Sequence, residues 1–142
     1  MDMIDSDAAE RWIQQLGKET NKHVLNSMLT NISKAALPPE MDISLIIACT
    51  KSEHWVVRHS AILALGASPS NAARLSLREW LSQEDDKKYK YEIIYANAAM
   101  SRIGLLEDIS FIEKHLKSRL RDVRGSAQWA IETIQKRQKR NK

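Results

Sequence analysis

The 142-residue chain contains one cysteine, Cys49, so it can close no disulfide on itself. That usage fits a reducing compartment, and a cytoplasmic location is the expectation. Glycine occurs four times and proline three times. Tight turns are therefore scarce, which argues against a fold of many short strands. No apolar run approaches the ~18 residues that a membrane-crossing helix needs. The opening "MDMIDSDAAER" has early acids and no apolar stretch, unlike a secretory signal. No glycine-rich phosphate loop, GxGxxG or HExxH pattern occurs. None of the four histidines (His23, His54, His59, His115) pairs with another at a spacing of three or four, as a helical metal clip would require. No catalytic residue, cofactor site or metal ligand is expected.

Nor is there a uniform basic face. The net charge of +4 belongs largely to the last eight residues, "QKRQKRNK", whose five positive charges stand against no negative one. Without them the net charge is −1. A chain-wide footprint for nucleic acid is not implied.

What is abundant is helix-forming sequence, rich in Ala, Leu, Lys, Glu, Gln and Arg. The apolar spacing predicts eight helices. The first opens at the Asp7/Glu10 pair, carries Ala8, Trp12, Ile13 and Leu16, and stops at Gly17. The second covers 21–36. The third starts at Pro39 and includes Cys49, read as a small core residue. The fourth is capped by Ser52 and closed by Gly66. The fifth follows "SPSN" at 68–71. The sixth ends at Gly104, the seventh is short, and the eighth runs from about Arg119 to Lys136. Residues 1–136 read as a single domain, with 1–36 as an N-terminal capping pair and 137–142 as a basic flexible tail.

The fourth helix is written again further on. "HWVVRHSAILALG" at 54–66 aligns with "RDVRGSAQWAIET" at 121–133. Val57-Arg58 meets Val123-Arg124, Ala61 meets Ala127, Ala64 meets Ala130 and Leu65 meets Ile131. A third copy, "YANAAMSRIG", aligns on Gly104, giving steps of 38 and 28 residues. A lone helix hairpin cannot bury its apolar stripe, whereas stacked hairpins share one continuous core. The reading is all-α: an α-solenoid of about four antiparallel helix pairs.

Val-Arg-x-x-Ala-x-x-Ala-Leu-Gly at 57–66 resembles the second helix of a HEAT or HEAT-like repeat, and "DVRGSAQWAIE" at 122–132 resembles another. The resemblance implies a superhelix that holds partners on a curved surface, with the second helices on its concave side. It implies that Arg58 and Arg124 bond to an acid or a backbone group of a neighbouring repeat, with Asp122 the nearest candidate acid. It implies a non-catalytic protein-binding role. A chain this short suits one dedicated partner, such as a toxin domain neutralised by an immunity protein, or an adaptor role; RNA binding is the alternative. A monomer without membrane attachment is expected.

Contact residues follow from helix geometry. Trp55, Arg58, His59 and Ile62 share a stripe beside the Val57–Ala61–Ala64–Leu65 core. Their equivalents in the last copy include Arg121 and Arg124, with Trp129 one step round. "KKYKYE" at 87–92 mixes bases with aromatics, as nucleic-acid binders do, yet Tyr91, Ile94, Tyr95 and Ala98 have core spacing. Packing, protein contact and nucleic-acid contact all stand for it. The expected partner-binding residues are Trp55, Arg58, His59, Tyr91, Arg121, Arg124 and Trp129.

Overall fold

The computed structural model describes residues 6–140. Its α-helices are α1 (Ser6–Leu16), α2 (Lys22–Ser33), α3 (Ser44–Cys49), α4 (Trp55–Leu65), α5 (Asn71–Leu81), α6 (Lys90–Ile103), α7 (Ile109–Glu113) and α8 (Arg121–Arg140). Short 3-10 turns flank α7 on both sides, and no strand occurs among the described residues. Helices α2, α4, α6 and α8 pack side by side in that order, with α1, α3, α5 and α7 as a second layer. The core lies between the layers. Val57, Ala61, Ala64, Leu65, Val123, Ala127, Ala130 and Ile134 are all buried in it. The expected α-solenoid of four helix pairs is the observed architecture.

Local chemistry sets the helix ends. The Asn21 side chain accepts from the amides of His23 and Val24, so α2 starts one residue after it. Ser70 caps α5 through the Ala73 amide. Ser52 does not itself cap α4. The N-cap is His54, whose amide donates to Ser52 Oγ at 3.1 Å. Helix α1 already includes Ser6, which puts Asp7 within its first turn rather than ahead of it. In α1 it is Ala9, Ile13 and Leu16 that are buried, while Trp12 is partly exposed. Helix α3 begins at Ser44, not at Pro39, because the Asp42 carboxylate accepts from the Ser44 amide and forms the turn there. Cys49 is half-buried against the core, and that burial pushes its thiol up, away from a reactive thiolate.

Two ends differ because arginines reach them. Helix α2 stops at Ser33, short of 36. The Ser33 and Ala35 carbonyls accept from Arg102 Nη1 at 2.6 Å and Nη2 at 3.2 Å. Helix α8 continues through Arg140, so the boundary drawn at 136 falls inside a helix. Arg137 in its extension donates to the carbonyls of Ser101 and Gly104, both at 2.6 Å.

The repeat is real, but the middle copy stands three residues away from its sequence alignment. Helices α4, α6 and α8 start at residues 55, 90 and 121, so the steps are 35 and 31. The buried stripe agrees, with Glu92, Ala96 and Ala99 matching Val57, Ala61 and Ala64. Aligning on the terminal glycines misplaced the copy because α6 has 14 residues and α4 has 11. The outer copies share bonds as well as residues. Arg58 Nη1 donates to the Ser52 carbonyl, six residues back, and Arg124 Nη1 does the same to Ser118. Ser60 bonds Asn26 of α2, and Ser126 accepts from Asn97 of α6 at 3.0 Å.

Candidate functional site

Four of the expected contact residues come together. Trp55, Arg58 and His59 from α4 face Tyr91 from α6 across a groove of about 460 Å³, completed by Lys88, Glu92 and Tyr95. Helix periodicity makes this possible: positions 55, 58 and 59 fall on one side of α4, and 91, 92 and 95 fall on the facing side of α6. Trp55 is 65% exposed and Tyr91 53%, large values for rings of that size. His59 lies among the rings, with centroids 5.6 Å from Trp55, 6.0 Å from Tyr91 and 5.1 Å from Tyr95. Tyr91 and Tyr95 stack at 6.4 Å.

The floor is a buried ionic group. Arg58 Nε donates to Glu92 Oε2 at 2.8 Å. Burial alone would raise the Glu92 carboxyl, but the Arg58 hydrogen bond, its own backbone amide and the adjacent His59 hold it below the ordinary carboxylate value. Glu92 occupies on α6 the core position that Val57 and Val123 hold in the other copies. His59 Nε2 lies 3.4 Å from Glu92 Oε2, in an orientation that forms no hydrogen bond, and has no other partner. Burial pushes the His59 ring down, and nearby Glu92 opposes this only in part. A neutral imidazole is the resting form.

The sequence-based placement needs three corrections. Ile62 does not share the open stripe; it is fully buried. Tyr95, which has core spacing, is half-buried in the groove wall. Asp122 pairs with Lys90 at 3.5 Å rather than with an arginine. Arg58 behaves as the resemblance implies, bonding an acid of the following repeat. Arg121, Arg124 and Trp129 do not line the groove. All three stand exposed on α8, Trp129 at 61%. Arg124 sits where Arg58 sits on α4, but among the described residues no further helix faces it, so it bonds only the Ser118 carbonyl.

Lys88 lies in the "KKYKYE" stretch singled out in the sequence, whereas the role of Glu92 in the floor escaped it. An acid at the core-stripe position would have revealed Glu92 had the middle copy been aligned on helix starts. Elsewhere, the buried Asp108 takes Arg74 Nε at 2.8 Å, Arg78 Nη2 at 2.6 Å and the Leu105 amide at 2.7 Å, joining α5 to the turn before α7. His115 is buried with Nε2 2.7 Å from the Leu81 carbonyl. Among the described residues no cluster of His, Cys, Asp or Glu is arranged to hold a metal ion, and no helix is long and apolar enough to cross a membrane.

Stacked helix pairs, shared inter-repeat bonds and a side-chain groove between second helices define an α-helical repeat protein. The family model for HEAT repeats matches residues 43–132. That is more than half of the chain, and the chain belongs to the HEAT-repeat family. Comparison with curated proteins found no match. HEAT repeats are generally protein-interaction modules and typically non-catalytic.

Proposed function

We propose that this protein is a non-catalytic module that acts by stoichiometric occupation of one dedicated protein partner. An inhibitor such as a toxin-neutralising immunity protein fits best, with an adaptor role next. The observation that carries the reading is the convergence of Trp55, Arg58, His59 and Tyr91 on one groove, its rings open to solvent and its polar floor already built. Tryptophan, tyrosine and arginine dominate interface energies. A groove set between rigid helices loses little ordering entropy when it is filled. Arg121, Arg124 and Trp129 extend the contact along α8.

The test begins with affinity capture of the tagged protein and identification of what it retains. Calorimetry on the purified pair should then saturate at a fixed stoichiometry. Trp55→Ala and Tyr91→Ala should each weaken binding by about 1–2 kcal/mol or more, with the unfolding midpoint unchanged. Affinity unaltered in both variants would move the site off this groove. Clearance of the target at substoichiometric amounts would make the protein an enzyme and end the proposal.

A further inference from the structure

We infer that the α4–α6 groove receives an acidic segment of a protein partner, with a carboxylate seated between Arg58 and Lys88 and the adjoining chain lying on Trp55 and Tyr91. The inference rests on the groove being the partner site and adds the chemistry of its occupant.

The groove is rich in unused donors and has no free anion. Arg58 spends Nε on Glu92 and Nη1 on the Ser52 carbonyl, which leaves Nη2 without a partner among the described residues. Lys88 sits over the Tyr89 ring at 5.1 Å and, among the described residues, is in no ion pair. Among the described residues no hydrogen bond engages the Trp55 indole or the Tyr91 and Tyr95 hydroxyls. The one lining carboxylate, Glu92, is buried and already neutralised by Arg58. Beside the groove, Lys90 and Asp122 satisfy each other. One uncompensated cation, Lys88, a spare N–H of the Glu92-paired Arg58 and three ring-borne donors match an acceptor-bearing anion better than a lysine or arginine side chain.

A nucleic acid is a poorer match. Its phosphates need a continuous track of unpaired cations. Among the described residues that line the groove, Lys88 and Arg58 are the only cations, and Arg58 is already paired with Glu92, so no such track exists. An acidic protein segment needs only a local seat for one or two carboxylates and an apolar bed for its neighbours, and this groove supplies both.

The full chain, labelled with ¹⁵N, is titrated with an oligoglutamate peptide and separately with an oligouridylate of matched charge. The readouts are the Trp55 indole signal and the amides of residues 54–59 and 88–95. The peptide is expected to shift these signals at low salt and to lose affinity as salt rises. Lys88→Glu and Trp55→Ala should each weaken it by about tenfold. Lys18→Glu, on the α1 side of the molecule, should leave it unchanged. The inference is overturned if the peptide shifts nothing, if shifts fall only on the basic end of α8, or if Lys18→Glu weakens binding as much as Lys88→Glu. Tighter, Lys88-dependent binding of the oligouridylate overturns it too. If the captured partner still depends on Trp55 while oligoglutamate fails, the groove stands and only the ligand class falls. A partner indifferent to Trp55 removes the site itself.

Discussion

Single residues set the pH response of the fold. Burial alone would raise the Asp108 carboxyl, but the Arg74 hydrogen bond, the Leu105 amide and Arg78 together hold it below its ordinary 3.8. A depressed carboxylate contributes stability that is present above the unfolded value and lost as pH falls through the folded one. His59 and His115 are both held below 6.5, chiefly by burial. The unfolded chain therefore takes up their protons first, and stability falls with pH here too. Thermal melts should show a decline that begins below pH 6.5 and a second decline below about pH 4. His115→Gln should flatten the first step. Asp108→Asn should cost about 3 kcal/mol at neutral pH, because it removes the buried anion shared by Arg74 and Arg78 and leaves them only the exposed Glu107 carboxylate. A flat profile from pH 7 to 4, or a neutral-pH melt untouched by Asp108→Asn, would refute this account. None of it was legible in the sequence, where nothing marks Asp108 or His115 as buried. Their burial depends on elements 30 or more positions away. Trp55, Arg58 and His59, by contrast, were legible because one helix places them by its own periodicity.

At the level of elements, small residues decide how closely helices approach. No described glycine has a positive φ, so space rather than backbone freedom is the question. A Cβ on Gly104 would lie 2.6 Å from the Met100 carbonyl oxygen and 2.7 Å from Ile134 Cδ1. A Cβ on Gly125, inside α8, would meet nothing within 4 Å. Gly104→Ala should therefore destabilise by about 1–3 kcal/mol. Gly125→Ala should stabilise by about 0.5–1 kcal/mol through helix propensity alone. Urea midpoints moving in the same direction for both would show that the close approach of α6 and α8 is misjudged. Ala61 and Ala127 make the parallel case, since both are fully buried at equivalent positions. Replacing either by leucine should cost about 1–3 kcal/mol, and negligible shifts in both would undo the equivalence. The helices and their pairing were readable because amphipathic spacing repeats over the whole chain. The middle register was not, because a glycine marks where a helix ends and says nothing of its length. The starts of α3 and the ends of α2 and α8 were lost for a related reason. Asp42, Arg102 and Arg137 fix them through side chains that no propensity scale counts.

Across the described residues, a stack of four pairs has two outer faces, and a repeat array is weakest where a helix has a neighbour on one side only. This chain fastens both ends with one device. Arg102 on α6 reaches past α4 to the carbonyls that close α2, a span of 69 positions in sequence. Arg137 on α8 closes the end of α6 in the same manner. The two guanidiniums lie partly out of water, which pulls both below the usual arginine value. Each clamp ties together helices of the α2–α4–α6–α8 layer where unpaired helix carbonyls would otherwise face solvent. The expected effect of loss is local. Arg102→Ala should speed hydrogen exchange in α1 and α2 by about fivefold, a loss of about 1 kcal/mol, and leave α8 protected. Arg137→Ala should do the same to α8 and leave the N-terminal pair alone. The value stays modest because water can reach these guanidiniums and replace part of what is lost. Arg137 also changes what truncation should do. Removing residues 138–142 spares the clamp and should leave exchange in α8 unaltered, whereas removal from 137 onward should loosen it as Arg137→Ala does. Uniform acceleration across all eight helices in either variant would mean that the stack unfolds only as one unit, and that these arginines are not end fastenings.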